Sequence, residues 1–285
     1  MLIAQVTDCH IGFDPSDPEE DNVQRLRAVL GELCDGPNRP DLLLMTGDLT
    51  QGGAPASYAR LAELVERCPF PVRLMAGNWD NRQALCAIFA QAELADGFIQ
   101  FEVPLSGLRL IALDTTEPSR HGGAFCEARA KWLSDRLDAE PEVPVIIAMH
   151  HPPVETGLEW LDCGANEAWV VRFAQAIAGR SQVRAILAGH LHRTIHTSFS
   201  GIPLIVCPAS APHVTLDLSA IDPELPDGRP LVAAEPAGYA LHRWDGGWLT
   251  SHFGAAPIGV AWPVLARFDE SMAKTVSQNA QERLD

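Results

Sequence analysis

Short apolar runs alternate with amphipathic stretches through the first half of the chain. The runs at 2–6, 42–45 and 72–75 have the length of buried strands. Between them, segments 19–34 and 56–68 place apolar residues three and four positions apart, which is the spacing of one helix face. This alternation of strand and helix patterns is typical of a sheet whose neighbouring strands run parallel.

The second half of the chain is dominated by closely spaced strand patterns. Runs at 98–103 and 108–113 flank Ser106 and Gly107, which predicts a hairpin. We therefore expect a mixed α/β sandwich in which two sheets pack together with helices outside. The other predicted elements are helices at 81–92, 128–137 and 166–178, strands at 145–149, 184–188, 195–199, 204–207, 239–244 and 248–253, and a surface loop at 222–236.

Polar residues of the kinds that bind metal ions follow several of these strands immediately. In α/β folds the crevice beyond the carboxyl ends of the strands is where binding sites form. Glycines at 47, 77 and 189 adjoin these residues and let the backbone turn sharply or approach an ion closely. The polar residues at these strand ends are Asp8, His10, Asp48, Asn78, Asp80, His150, His151, His190 and His192.

Two of the strand ends carry pairs of candidate ligands. Asp8 and His10 form one pair, and His190 and His192 form the other. In extended backbone, residues i and i+2 point to the same side, so each pair can face one pocket. Each residue alone has an ordinary structural interpretation, as a turn residue, a helix cap or a surface histidine. As a set of nitrogen and oxygen ligands without thiolate, they suit Mn, Fe, Zn or Co.

Charge and composition narrow the possible partners. The 285 residues include 21 Lys and Arg against 37 Asp and Glu, a formal net charge of −16. Such a surface repels extended nucleic acid and anionic membranes, so we expect neither as a partner. It also repels phosphate, so a phosphate site would need the local positive charge of bound metal ions. No membrane-length apolar run, signal-peptide pattern or CxxC pair occurs, which favours a cytoplasmic protein with reduced thiols.

Taken in order, the blocks DxH, GD, GN-x-D, H and GHxH resemble the motifs of the calcineurin-like metallophosphoesterases. Within that family the chain is most similar to bacterial class III cyclic nucleotide phosphodiesterases and to glycerophosphodiesterases. The resemblance implies a four-layer α/β/β/α sandwich of two mixed sheets over residues 1–255. It leaves 256–285 as a C-terminal tail, with a helix expected at 268–284 and a role in oligomer contacts. It also implies a homo-oligomer, either a dimer or a larger assembly.

The family pattern implies two divalent or mixed-valence transition metal ions. The first ion would be held by Asp8, His10, Asp48 and His192, and the second by Asp48, Asn78, His150 and His190. Two ions about 3.5–4 Å apart can share a hydroxide and clamp the attacking and leaving oxygens of an in-line displacement. We therefore expect hydrolysis of a small phosphodiester, of the cyclic nucleotide or glycerophosphodiester type, through a metal-bridging hydroxide.

Trp79 departs from the family pattern, which usually reads GNHD at these positions. That histidine is thought to stabilise or protonate the phosphoryl centre, whereas Trp offers only an indole N–H. We expect complete metal binding with altered chemistry or substrate preference, in which Trp79 either stacks on an aromatic group or packs at the pocket floor. A better leaving group could compensate, or His151, His121 or His213 could supply the missing acid. His151 could instead orient a ligand, His121 could be a surface loop residue, and His213 could cap a loop.

Trp79 leaves two further functions open. One is a phosphomonoesterase or phosphonate-ester hydrolase, and the other is a binding scaffold that keeps the fold without catalysis. All seven family ligands are present in this sequence, which favours an enzyme. We expect Asp80 to orient or cap its neighbours rather than bind metal. Cys9, between two candidate ligands, is expected to face the core.

Overall fold

Two β-sheets and the helices that cover them make up the fold. The computed structural model describes residues 1–90, 92, 94–222 and 227–259. Its helices are α1 (Asp21–Asp35), α2 (Pro55–Glu66), α3 (Arg82–Ile88), α4 (Glu127–Ala139) and α5 (Ala168–Ile177). Its strands are β1 (Leu2–Val6), β2 (Leu42–Thr46), β3 (Val72–Met75), β4 (Phe101–Leu105), β5 (Leu108–Leu113), β6 (Val145–Met149), β7 (Val183–Ala188), β8 (Ile195–Phe199), β9 (Ile202–Val206), β10 (His213–Val214), β11 (Val232–Ala233), β12 (Ala237–Trp244) and β13 (Leu249–Ala256).

Parallel strands form the centre of each sheet. The first sheet has the order β13-β12-β1-β2-β3, in which β1, β2 and β3 run parallel. The second has the order β4-β5-β6-β7-β9-β8, in which β5, β6, β7 and β9 run parallel. Because parallel neighbours end at the same edge, the segments after β1, β2 and β3 meet at one edge, and those after β6 and β7 meet at another.

Alternate residues of the central strands pack into different cores. In β2, Leu43 packs with residues of α1 and α2, whereas Leu44 packs against the second sheet. In β6, Ile147 packs with residues of α4 and α5, whereas Ile146 packs against the first sheet. This division follows from the two-residue period of a strand. The fold therefore has four layers, in the order helices, sheet, sheet and helices, with an apolar core between each pair of neighbouring layers. This arrangement confirms the predicted α/β/β/α sandwich.

Most predicted elements are present, with a few differences. The hairpin is confirmed, since β4 and β5 pair antiparallel across the predicted turn. The helix expected at 81–92 spans only Arg82–Ile88, and the Asn81 side chain caps it by accepting from the Ala84 N–H at 3.0 Å. The loop expected at 222–236 contains β11, because Val232 and Ala233 pair with β10. The helix expected at 268–284 lies outside the described residues.

The structure also bears on two other predictions, the burial of Cys9 and the lack of a membrane-spanning segment. Cys9 is fully buried in the core between the first sheet and its helices, as predicted. Across the described residues, no helix combines the length and the apolar character needed to cross a membrane.

Candidate metal centre

The structure brings all seven predicted ligands to one place between the facing edges of the two sheets. The segment after β1 supplies two of them, the segments after β2, β3 and β6 supply one each, and the segment after β7 supplies two. Their side chains contact one another through the pairs described below. In the order of these strands the residues are Asp8, His10, Asp48, Asn78, His150, His190 and His192.

The backbone at this site is strained. Five of the seven candidate ligands are non-glycine residues in the left-handed region, a conformation that costs on the order of 1–3 kcal/mol for each such residue. Such strain persists only where the surrounding structure enforces it, and it is concentrated at functional sites. The five residues and their φ angles are Asp8 at 52°, His10 at 47°, Asp48 at 47°, His190 at 69° and His192 at 54°. The expectation that the Asp8–His10 and His190–His192 pairs lie on extended backbone is therefore wrong, because all four residues adopt the left-handed conformation just after their strands.

The glycines beside the ligands allow close approach of the strand ends. A Cβ atom on Gly77 would lie 2.2 Å from both the backbone nitrogen and Oδ1 of Asp48. Gly47 has φ of +97°, and a Cβ there would lie 2.6 Å from His150 Nδ1. The strand ends after β2, β3 and β6 could not come this close with larger residues at these two positions.

The two carboxylates each direct one oxygen into the cluster. Asp8 Oδ2 accepts from the backbone N–H of His190 at 3.0 Å, and Asp48 Oδ1 accepts from that of Trp79 at 2.8 Å. Asp8 Oδ1 is buried and has no hydrogen-bond partner among the described residues. It lies 3.6 Å from His192 Nε2 and 4.0 Å from His150 Nε2. A buried carboxylate oxygen without a donor is costly unless a cation neutralises it, so this atom suits a metal ligand.

Three of the histidines are oriented in the same way. In each, Nδ1 faces a protein oxygen, so that ring nitrogen carries the hydrogen and Nε2 faces the cluster. This is the common arrangement of histidines that bind metal through Nε2. The pairs are His10 with Gln51 Oε1, His150 with the Thr46 carbonyl and His192 with the Pro212 carbonyl, each at 2.8 Å.

The nitrogens that face the cluster lie close to one another and to oxygens. His10 Nε2 and His192 Nε2 are 3.1 Å apart, a separation at which two imidazoles need a proton or a cation between them. His150 Nε2 lies 3.2 Å from Asn78 Oδ1, and the His150 and His190 ring centroids are 5.2 Å apart. In the part of the chain that the structure describes, three groups of side chains could each hold an ion: Asp8, His10 and His192; Asp8, Asp48 and His150; and His150, His151 and His190.

The electrostatics of the site favour positive charge. Burial disfavours a charged His150, but the Asp48 and Asp8 carboxylates outweigh it and raise the pKa of that imidazole to about 9. Burial also opposes ionisation of Asp48, yet His150 and His10 hold the pKa of that carboxyl well below its usual range. Burial, together with His150, lowers the pKa of His190 to about 4. An ionised Asp48 and a neutral His190 therefore present donor atoms suited to cations.

The candidate catalytic residues differ in position. Trp79 is 38% exposed and lines a cavity of about 450 Å³ together with His121 and several of the candidate ligands. His151 is buried, and its Nε2 lies 3.2 Å from Asn78 Oδ1 and 3.0 Å from the His121 carbonyl oxygen. Nδ1 of His151 faces Thr115 Oγ1 at 2.9 Å. These contacts suit an orienting role for His151.

His213 is held by the protein on both sides of its ring. Its Nε2 faces the Ala209 carbonyl at 2.9 Å, and its Nδ1 lies 3.5 Å from Glu235 Oε2.

Asp80 accepts hydrogen bonds from the Leu49 and Gly77 backbone N–H groups, at 3.0 and 2.9 Å. These two hydrogen bonds agree with the expectation that Asp80 orients its neighbours.

Sequence reasoning did not identify the residues that orient the ligands. Gln51, Thr46 and Pro212 are each ordinary polar or loop residues in the sequence, and two of them act through backbone carbonyls that carry no sequence signal. Thr115 follows a predicted strand, but the sequence carries no signal that its hydroxyl contacts His151. Of these residues, Gln51 is the one whose orienting role the sequence could have indicated, because it lies in the loop that follows the candidate ligand Asp48.

Comparisons with known proteins add independent information. A family model described as calcineurin-like phosphoesterase matches residues 1–194. A probable cyclic nucleotide phosphodiesterase from Synechococcus sp. is 35% identical over 241 residues, which are 84% of this chain and 89% of that protein. A probable glycerophosphodiester phosphodiesterase from Arcobacter nitrofigilis is 28% identical over 257 residues, which are 88% of this chain and 92% of that protein.

A similar fold occurs among solved structures. A dimetal phosphatase from Danio rerio has a TM-score of 0.66 at 14% sequence identity, and the match covers 90% of this chain and 96% of that one. At this level of identity the similarity concerns the fold alone.

Proposed function

Because the chain belongs to the calcineurin-like phosphoesterase family, as its motif order predicted, we propose that it is a dinuclear-metal phosphodiesterase. Its substrate would be a small phosphodiester of the cyclic nucleotide or glycerophosphodiester type, since relatives named for both activities match most of the chain. The observation that carries the proposal is the buried Asp8 Oδ1, which has no hydrogen-bond donor among the described residues and lies near the Nε2 atoms of His150 and His192.

The seven candidate ligands would hold the ions in the two sets that the resemblance implies. Asp48 would belong to both sets. Its Oδ2 lies 3.7 Å from His10 Nε2 and 3.4 Å from His150 Nε2, one histidine from each set, which supports a bridging role. When bound to these nitrogen and oxygen donors, two Mn, Fe, Zn or Co ions would offset phosphate charge and lower the pKa of a water molecule.

The protein would contribute orientation to the reaction. Asp48 Oδ1 accepts a hydrogen bond from the Trp79 backbone N–H, while Oδ2 faces His150 and His10 in the cluster. The buried histidines keep bulk water away from the ligand set, since His150 is fully buried and His190 is only 6% exposed. Hydrolysis breaks one P–O ester bond, the water oxygen joins phosphorus, and the leaving alkoxide takes up a proton. His151, His213 and Trp79 remain candidates for supporting these steps.

Metal analysis combined with a diester assay tests the proposal. We expect two metal ions per chain in the wild type, together with hydrolysis of bis(p-nitrophenyl) phosphate and of cyclic nucleotides or glycerophosphodiesters. Asp48→Asn and His192→Gln should lose metal and lose turnover by at least about 100-fold. His252→Gln is the matched control, because His252 is exposed on β13. Full metal content and turnover in both site variants would contradict the proposal.

Trp79 supports a second candidate within the same chemistry. Because Trp stands where the family usually has histidine, the enzyme could prefer a phosphomonoester or a phosphonate ester. The rates on monoester, diester and phosphonate versions of one leaving group decide between these substrates. Two bound metal ions without turnover of any of the three would instead indicate the binding scaffold.

The remaining expectations about organisation are proposals as well. We propose one catalytic domain over residues 1–255 followed by a tail, and a homo-oligomeric assembly. We also propose a cytoplasmic location. All seven cysteines are free thiols in the structure, which supports a reducing environment.

A further inference from the structure

Two large aromatic side chains are exposed within the cavity of the candidate metal centre. Trp79 is 38% exposed and Trp160 is 42% exposed, and both line the cavity of about 450 Å³ that also contains Asp48 and Asn78. We call the part of this cavity formed by Trp79, Trp160 and His121 the aromatic cleft. Exposed apolar surface that is gathered in a concave site beside a few polar groups is characteristic of ligand binding.

Trp79 is held rigidly in the aromatic cleft. Its backbone N–H donates to Asp48 Oδ1 at 2.8 Å. The next residue, Asp80, accepts hydrogen bonds from the Gly77 N–H at 2.9 Å and the Tyr58 hydroxyl at 2.9 Å. These contacts fix the turn on both sides of Trp79. The backbone that carries the indole is therefore positioned before any ligand binds, which reduces the entropy lost on binding.

The indole ring contacts its neighbours through only part of its surface. Its centroid is 6.2 Å from that of His10 in an edge-to-face arrangement and 5.5 Å from that of His121 at 60°. The indole N–H has no hydrogen-bond partner among the described residues. A tryptophan that served only to fill space would be buried, whereas more than a third of this side chain remains accessible.

Trp160 forms a second wall of the aromatic cleft on a well-anchored loop. Asp162, two residues further on, accepts hydrogen bonds from the Thr156 N–H at 2.7 Å, the Thr156 hydroxyl at 2.6 Å and the Gly157 N–H at 2.7 Å. These bonds close the loop that carries Trp160. Hydrogen bonds within the protein thus anchor the backbone segments that carry both tryptophans.

We propose that Trp79 is a specificity-determining residue that stacks on a planar aromatic group carried by one ester arm of the substrate. The inference rests on the proposed function, because a phosphoryl group bound at Asp48 and Asn78 places its ester arm in the same cavity as the indole. A planar ring fits a cavity of this volume and gains from stacking on a fixed aromatic face. Within the two substrate types proposed above, the aromatic cleft favours a diester that carries a nucleobase over one that carries only glycerol.

Phosphonates that carry one organic group can distinguish aromatic stacking from general hydrophobic binding. We would measure calorimetrically the binding of methylphosphonate, cyclohexylphosphonate and phenylphosphonate to the metal-loaded protein. The wild type should bind phenylphosphonate about tenfold or more tightly than both other anions. Trp79→Leu should lose this preference and keep the affinity for methylphosphonate, whereas Trp79→Phe should retain part of it. Trp248→Leu is the matched control, since Trp248 is 68% exposed and does not line the cavity.

Two outcomes would overturn the inference. One is an unchanged preference for phenylphosphonate in Trp79→Leu, and the other is wild-type protein that binds all three anions equally. A separate assay of diester hydrolysis reports on the proposed function. Absence of turnover there, with an aromatic preference that depends on Trp79, would contradict the proposed activity and leave the stacking role supported.

Discussion

Asp8 Oδ1 lies 3.6 Å from His192 Nε2, although the two residues follow strands of different sheets. The two sheets therefore meet at an atom pair that needs a positive charge, because Asp8 Oδ1 has no hydrogen-bond donor among the described residues. An ion that binds there would connect the end of β1 to the end of β7. Metal binding and folding stability are for this reason expected to be coupled.

Metal removal should destabilise the protein. A ligand that binds only the folded state at 100 times its Kd adds about 2.7 kcal/mol to the free energy of unfolding. We expect chelation to lower the melting temperature, and added Mn or Zn to restore it in a concentration-dependent way. Differential scanning calorimetry measures the effect. A melting temperature that does not respond to metal would contradict the coupling.

Asp8→Asn should separate stability from metal binding. The asparagine oxygen can still accept from the His190 N–H, but the buried negative charge is removed. We expect the metal-free variant to be at least as stable as the metal-free wild type, and its melting temperature to gain nothing from added metal. Asp41→Asn is the control, because Asp41 also accepts a backbone N–H, that of Leu2 at 2.7 Å, at an exposed position. A variant that responds to metal like the wild type would argue against Asp8 as a ligand.

Gly77→Ala should disrupt the site through backbone crowding. The added Cβ would lie 2.2 Å from Asp48 N and Oδ1, so the strand ends after β2 and β3 must move apart. We expect a loss of about 3 kcal/mol in the free energy of unfolding and a loss of metal binding. Gly31→Ala is the matched control, because no atom of the described chain outside this helix lies within 4 Å of the Cβ added in α1. That substitution should add about 0.5–1 kcal/mol, and denaturant titrations of both variants give the comparison.

His242 should contribute to loss of stability in acid. Its Nε2 faces Gln5 Oε1 at 2.9 Å and its Nδ1 faces Ser251 Oγ at 2.8 Å, while burial, with His196, lowers its pKa to about 3. The unfolded chain takes up this proton below about pH 6.5, whereas the folded protein takes it up only near pH 3. The contribution of His242 to the free energy of unfolding is therefore fully present above about pH 6.5, and it decreases as the pH falls toward 3.

The comparison with His242→Gln isolates this effect from the other buried histidines. The free energy of unfolding of the metal-free protein would be measured by denaturant titration at several pH values between 7 and 3.5. The wild-type profile should be steeper than that of the variant by about one proton per molecule. Profiles with the same slope would show that His242 does not titrate between the two states.

Much of the fold could be predicted from the sequence because its signals are local. The two-residue and 3.6-residue periods of apolar positions indicate strands and helices directly, as for β2 and α1. The ligand types and their order after successive strands identified the family, and the family match agrees with that reading. The prediction of a loop at 222–236 was wrong for Val232 and Ala233, which pair with β10, because two residues carry too little pattern to indicate a strand.

The sequence by itself determined which side chains stand at the strand ends, because a residue's position after an apolar run depends only on its neighbours in the chain. Only the tertiary structure decided that Asp8 and His192 meet, since their separation depends on how the two sheets pack. It likewise decided which histidine nitrogen faces the cluster, through oxygens such as the Pro212 carbonyl, and placed Trp79 and Trp160 in one cavity. Distances and hydrogen bonds between remote segments arise from packing, and no local pattern encodes them.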